Sequence, residues 1–263
     1  MTPHTIDGTA ILRRPGPGPS LLLLHGIGGD ARSWEWLAAA MPAAFDVIAW
    51  NAPGYGASTP LAMATPRPAD YAQRIAGLLD ALGLPQVMLA GQSLGTLFAG
   101  AFAAAHPERI TALAFFSPAL GYRTAAEAPL PEGVQARLDA LHSEGAEAFA
   151  GKRAARLVFR PERKPELLEA VRRSMAAVNA AGYAQACRAL AAGDLLADAA
   201  RIARPALVAV GAEDVVTPPP EARALHAALP AGSSLHLIPD AGHALPQEAP
   251  ARLAALLVEA AHG

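Results

Sequence analysis

The chain has 263 residues, 52% of them apolar and 17% charged, and its 21 basic and 23 acidic side chains leave a formal charge of −2. That composition builds a substantial core and excludes a disordered chain, while the near balance of charge offers no footprint for nucleic acid or an anionic membrane surface, so small molecules are the expected partners. The single cysteine, Cys187, excludes an internal disulfide and a multi-cysteine metal site, suits a reducing compartment, and reads as a small buried apolar residue.

The first nineteen residues lack a basic start followed by a long apolar stretch, and Leu21 to Leu24 is too short a run to span a bilayer, which points to a cytoplasmic protein. The run RPGPGP at 14–19 reads as a turn linking an N-terminal strand pair. Strands are then predicted at SLLLLH (20–25), FDVIAW (45–50), QVMLA (86–90) and ITALAFFS (110–117), separated by helical stretches that begin ARSWEWL, ADYAQRI and LGTLFAG. Strands buried on both faces need continuous apolar runs, and parallel neighbours need crossover helices, so the alternation predicts a parallel sheet. In the second helix, Tyr71, Ile75, Leu78, Leu79 and Leu82 form one stripe that ends at Gly83.

From about Gly121 to Ala200 the alternation stops, and helical periodicity takes over, with Leu167, Leu168, Val171, Met175 and Val178 on one face. A helical insertion is expected there, with both junctions, after Ser117-Pro118 and at Pro205, on one edge of the sheet. The pattern resumes with ALVAVGAED (206–214), a helix near 219–229, SLHLIP (234–239) and a last helix near 250–261. There is no internal repeat.

Chemistry enters at GQSLG (91–95), where a strand turns sharply into a helix and small residues flank Ser93 at the corner. A serine hydroxyl becomes a nucleophile only when a base takes its proton, a third group orients the base, and donors await the oxyanion. Of the eight histidines, His243 alone lies in the loop after the last strand, where small neighbours let its ring lean over the crevice; His226 and His236 fall within a helix and a strand. Asp214 ends its strand at the same edge as Ser93, whereas Glu213 points the other way and Asp240 ties its own turn. The order Ser93, Asp214, His243 completes the set. The oxyanion donors are read as the backbone N–H groups of Leu94, at a helix N-terminus, and Ile27, in the loop HGIGG (25–29). His25 is read as shaping that loop through an internal hydrogen bond.

The motifs HGIGG, NAPGYGAS (51–58), GQSLG, GAEDVVTPP (211–219) and AGHALP (241–246), in this order, resemble the α/β-hydrolase superfamily with a helical cap. The resemblance implies an α/β fold: an eight-stranded, mostly parallel sheet with helices on both faces, a core of residues 1–120 and 201–263, and a cap of residues 121–200 over the active site. The stretch closing the cap is similar to that of 3-oxoadipate enol-lactonases. The pattern departs at Asn51, where the family usually has Asp, and at Gln92, where it often has His or a small residue. Ester or lactone hydrolysis through an acyl-Ser93 intermediate is the leading expectation. Hydrolysis of a carbon–carbon bond in a vinylogous diketone and a noncatalytic binding module are the alternatives. Among the arginines of the insertion, Arg173 has a helix partner in Glu169, whereas Arg188 lacks a local acid and is expected to meet a substrate carboxylate. Leu157, Leu168, Val171 and Met175 are expected to line part of a dry pocket. No cluster calls for a metal or organic cofactor, and the oligomeric state is not legible.

Overall fold

Leu21, Leu22, Leu23 and Leu24 are wholly buried, and they alternate: Leu22 and Leu24 join one apolar cluster, Leu21 and Leu23 another. Successive strand residues point to opposite faces, so the unbroken run is what a strand covered on both sides requires, each such leucine contributing about 1.5–3 kcal/mol. The computed structural model that shows this describes residues 1–125 and 127–262, His262 by its backbone alone. Residue 126, within the expected insertion, and residue 263, in the closing segment of the expected core, lie outside the described residues.

In chain order the strands are β1 (Thr2–Ile6), β2 (Thr9–Arg14), β3 (Ser20–Leu24), β4 (Asp46–Trp50), β5 (Val87–Gln92), β6 (Ile110–Phe116), β7 (Leu207–Gly211) and β8 (Ser234–Ile238). Among the described residues they form one eight-stranded sheet of order β1-β2-β4-β3-β5-β6-β7-β8. Pairing is parallel from β4 through β8 and antiparallel for β1 with β2 and β2 with β4. The helices are α1 (Glu35–Ala40), α2 (Pro68–Ala81), α3 (Leu94–Ala105), α4 (Glu132–Arg153), α5 (Pro165–Ala176), α6 (Ala180–Ala192), α7 (Leu195–Ala199), α8 (Pro219–Ala228), α9 (Leu245–Glu248) and α10 (Pro250–His262). Side chains of α2, α3 and α8 fill one face of the sheet, and those of α1 and α10 fill the other.

Two expectations need correction. The N-terminal strand pair is turned by Asp7 and Gly8, both at positive φ (44° and 70°), the geometry of a two-residue hairpin that matches strand twist. RPGPGP instead carries the chain from β2 to β3, which do not pair, because β4 lies between them. The second correction concerns the insertion. Its first junction, Ser117, follows the carboxyl end of β6, but β7 runs parallel to β6, with Ala114 beside Leu207 and Phe116 beside Ala209. The return junction at Pro205 therefore lies at the opposite edge, and the chain has to cross the sheet to reach it. The last helix before that junction, α7, packs on α3 and α8.

The crossing has an energetic mark. Asp198 on α7 is largely buried, with its side chain 20% exposed and Arg201 at 3.8 Å, and burial pushes its carboxyl up to about 6. A raised carboxyl costs stability where it must ionise: the penalty grows as pH rises from the ordinary value near 3.8 through about 6, then stays constant. Asp198→Asn should accordingly raise the melting temperature at pH 8 and leave it unchanged near pH 3.5, by the linkage just described, in calorimetry across that range. A variant less stable at pH 8 would contradict this.

The inserted helices pack against one another and against the core. α4 is interrupted at Gly145 (φ 79°, ψ 162°), so its two halves follow different directions, and both α5 and α6 touch it. α6 also meets α2 and α3, and there Gly182 lies against Gly54, so close that a Cβ on either glycine would strike the other's backbone.

Candidate active site

Strand β5 ends at Gln92 and α3 begins at Leu94, which leaves Ser93 alone to make the corner. It does so at φ 52°, ψ −119°, a conformation that L-residues rarely hold and that surrounding structure must impose. The imposition is steric: a Cβ at Gly95 would run into the Leu24 carbonyl, and one at Gly91 into the carbonyl of Gly95. The G-x-S-x-G pattern is thus the condition for β5, β3 and α3 to pass at this separation.

After β7, Asp214 folds its carboxylate back on its own turn, Oδ1 accepting from the N–H groups of Val216 (2.8 Å) and Thr217 (3.0 Å). Oδ2 accepts from His243 Nδ1 at 2.9 Å. Both side chains are buried, Asp214 completely. Burial alone would raise the Asp214 carboxyl, but the charge of His243 and the donors from His243, Thr217 and Val216 outweigh it, holding the group below its ordinary value. With Nδ1–H given to Asp214, the second ring nitrogen of His243 carries a free lone pair. Thr217 Oγ1 lies 3.1 Å from Asp214 Oδ2 and 3.2 Å from His243 Nδ1, and it donates to the Ser117 carbonyl at 2.9 Å. Sequence reasoning missed Thr217, although an Asp followed three residues later by Thr is a legible turn signature. Glu213 and Asp240 are both exposed, and among the described residues neither side chain is hydrogen-bonded to Asp214 or His243.

The loop after β3 is shaped by two side chains. Buried His25 donates from Nδ1 to the Gly26 carbonyl (2.8 Å) and accepts at Nε2 from the Ala52 N–H (3.0 Å); burial lowers its pKa, which suits a neutral ring with these roles. The Gly26 carbonyl also accepts the Gly29 N–H at 3.0 Å. In a trans peptide the C=O and the next N–H point opposite ways, so fixing the Gly26 carbonyl fixes the Ile27 N–H as well. Tyr55 Oη holds the following carbonyl, that of Ile27, at 2.6 Å. Leu94 is the first residue of α3, so its N–H has no acceptor within the helix. Gln92, an unexpected residue beside Ser93, donates from Nε2 to the His243 carbonyl at 3.0 Å, tying the two loops together. Asn51 accepts from the Ala31 N–H at 2.9 Å and so supports the same loop from behind.

Ser93, His243 and Ile27 line one cavity of about 320 Å3. Among the described residues no hydrogen bond joins Ser93 to His243, although the two share this cavity. The insertion supplies much of the remaining wall: Phe149, Leu157, Val171, Met175 and Tyr183, together with Arg137, Lys152, Arg153 and Arg156. Leu168 is not part of the wall; it packs with Val158, Leu167 and Val171 in a separate apolar cluster. Among the described residues, none that lines the cavity is a carboxylate. Lys152 pairs with Glu144 at 2.7 Å, but Arg137, Arg153 and Arg156 have no acidic partner among the described residues. Arg153 lies over the Phe149 ring at 5.0 Å, and burial followed by the charge of Arg137 lowers its pKa. The expectation for Arg188 is not met: it lines a different, shallow cleft with Thr65, Arg67 and Thr124. Five residues separate it from Tyr183 on α6, which turns it about 140° around the helix, away from the cavity. Glu169 sits closer to Arg172 (2.8 Å) than to Arg173 (4.0 Å). Cys187 is buried, and burial pushes its thiol up to about 12. Among the described residues no group of three or more His, Cys, Asp or Glu could hold a metal, and no helix is long and apolar enough to cross a membrane.

A family model described as the alpha/beta hydrolase fold matches residues 19–250. The chain belongs to the α/β hydrolase family. Within it, 3-oxoadipate enol-lactonase 2 of Acinetobacter baylyi is 32% identical over 203 residues, which cover 76% of this chain and 73% of that one. Among solved α/β hydrolases, the enol-lactonase from Burkholderia xenovorans LB400 superposes with a TM-score of 0.87 at 27% identity, over 100% of both chains. A thermophilic esterase from Thermogutta terrifontis, solved with malate bound, gives 0.85 at 26% identity over 98% of this chain and 97% of that one.

Proposed function

We propose that the protein hydrolyses a carboxylic ester or lactone that carries a second, anionic group, using Ser93, His243 and Asp214. The observation that carries this reading is that Ser93, on a strained elbow, and His243, bonded to Asp214, line one cavity whose charged wall residues, among those described, are all cations. In the first step His243 Nε2 takes the Ser93 hydroxyl proton as Oγ attacks the carbonyl carbon, and the N–H groups of Ile27 and Leu94 receive the oxyanion. The carbon–oxygen bond of the leaving group then breaks, and His243 returns its proton to that oxygen. Water attacks the acyl-serine with His243 again as base, and the Ser93 oxygen leaves with a proton. Asp214 holds the ring in the tautomer that leaves Nε2 free and balances its positive charge in each transition state. Serine–histidine contacts are often open in an empty enzyme and close around substrate.

In this reading the part of the insertion that holds α4, α5 and α6 acts as a cap. It supplies the apolar wall and, through Arg137, Arg153 and Arg156, charges that no protein carboxylate neutralises, in a chain whose overall charge is −2. Arginines without a carboxylate partner, set in a cavity with a largely apolar wall, favour a carboxylate, for which the guanidinium fork is shaped. A hydrolysis screen of neutral aryl esters, simple lactones and carboxylated enol-lactones tests this directly. Turnover restricted to vinylogous diketones would replace the ester reading with carbon–carbon hydrolysis, and absence of turnover on every class would remove it. The Arg137→Met/Arg153→Met double variant should raise KM for carboxylated substrates about 10–100-fold, the worth of a charged hydrogen bond or two, and leave neutral esters within about twofold. Arg188→Met should move neither class. Equal losses on both classes in the double variant would show that these arginines only support the cap.

A further inference from the structure

Glu248 closes α9, five residues beyond His243, and its side chain is wholly buried. A buried carboxylate is costly unless donors surround it, and this one is surrounded from two sides. Oε1 accepts from the Gly242 N–H at 2.8 Å, next to His243 in the chain. Oε2 accepts from the Phe159 N–H at 3.0 Å and from Lys164 Nζ at 2.7 Å, both in the segment that joins α4 to α5. The same segment reaches the histidine loop twice more: Lys164 Nζ donates to the Asp240 carbonyl at 3.0 Å, and the Leu157 carbonyl accepts the Ala244 N–H at 2.8 Å. Leu157 in turn lines the cavity, as do Arg153 and Arg156 before it and Val171 and Met175 after it. On its other side, the His243 carbonyl is held by Gln92.

We infer that Glu248 is a positioning residue: one carboxylate fixes both the backbone carrying the base and the hinge of the cap, so that seating the cap over the cavity and aligning His243 with Ser93 are a single event. This rests on the roles given above to Ser93 and His243. The physical basis is that neither partner can shift alone. If the cap segment moved away, the Phe159 N–H and the Lys164 ammonium would leave, and the carboxylate would stay buried with one donor; if the histidine loop moved, the Gly242 and Ala244 N–H groups would lose their acceptors. Gln at 248 keeps the shape but replaces one acceptor oxygen by a donor, which then faces a backbone N–H.

The test measures rate per active site. Ser93 is titrated with a fluorophosphonate in wild type, Glu248→Gln and Lys164→Met, at a temperature where circular dichroism shows each protein folded. The expected result is that Glu248→Gln lowers kcat per titrated Ser93, and the rate of phosphonylation, by about 10–100-fold, as a misplacement of ångström size does, with KM within about threefold. Lys164→Met, which keeps both backbone donors, should lower kcat about 3–10-fold on the same reasoning. A purely structural Glu248 would reduce melting temperature and the titratable fraction but leave the rate per site unchanged, and that result would overturn the inference. If Glu248→Gln does not fold, Lys164→Met decides alone: an unchanged rate per site overturns it. Failure of wild type to be labelled at Ser93 would instead overturn the assignment of the nucleophile, so the two failures are separate.

Discussion

Ser93→Ala should lower hydrolysis by roughly 10⁴–10⁶-fold while the protein stays folded, if Ser93 is the nucleophile proposed above, since members of a nucleophile–base unit are not additive and loss of the nucleophile would stop the covalent route altogether. The residual rate expected on this reading would come from the Ile27 and Leu94 donors and from substrate binding. The fold should survive because the corner depends on the close passage that Gly91 and Gly95 allow beside the Leu24 carbonyl, and because alanine is smaller than serine. The measurement is kcat on the best substrate of the screen, with circular dichroism and a single-site phosphonate label read by peptide mass. A label at any residue other than Ser93, or an undiminished rate in the folded variant, would sink the assignment.

Asp214→Asn should cost roughly 10⁴-fold in kcat with a smaller change in KM, the size of effect seen when a histidine is left in the wrong tautomer. Asparagine can keep the bonds from Val216 and Thr217 at one end, but its amide presents a donor to His243 Nδ1, so the ring proton moves to Nε2 and the base is blocked. The same change has a signature in acid. A carboxyl held below its ordinary value contributes stability that is complete above the unfolded value and is lost as pH falls through the folded one. Wild type should therefore lose an increment of melting temperature below about pH 4 that Asp214→Asn lacks throughout. Asp240→Asn, exposed and remote from the ring, should change neither rate nor acid stability appreciably. Greater damage from Asp240 than from Asp214 would show that the acid had been misassigned.

The strands were legible because the sheet is buried on both faces: runs such as LLLL and DVIAW have no alternative explanation in a chain of this length, and β3 to β8 fall within a few residues of their predicted places. Ser93, Asp214 and His243, the residues proposed for catalysis, could be placed on one side of the sheet by their positions after strand ends. What could not be read was anything fixed by the path between elements. RPGPGP looks like a hairpin turn because proline and glycine mark turns of every kind, and only the insertion of β4 between β2 and β3 shows which kind it is. The position of Pro205 depended on whether β7 runs with or against β6, a relation that periodicity does not encode. Arg188 stood out for lacking a local acid, yet Arg137, Arg153 and Arg156 lack one too, and which arginines face the cavity is set by the rotation of α4 and α6 and by the break at Gly145. Glu248 carried no signal, since two of its three donors, the Phe159 N–H and Lys164 Nζ, lie 89 and 84 residues away in the chain.

The contact of Gly182 with Gly54 sets how the pocket can change. There the inserted helices meet the core main chain to main chain, a spacing that the side chains lining the pocket do not set. Phe149, Val171 and Met175 can then be exchanged as a group, as upholstery is changed on a fixed frame, and a library randomised at those three positions should yield many folded proteins with altered substrate profiles. A single methyl added at either glycine would lift the whole roof and alter every substrate at once.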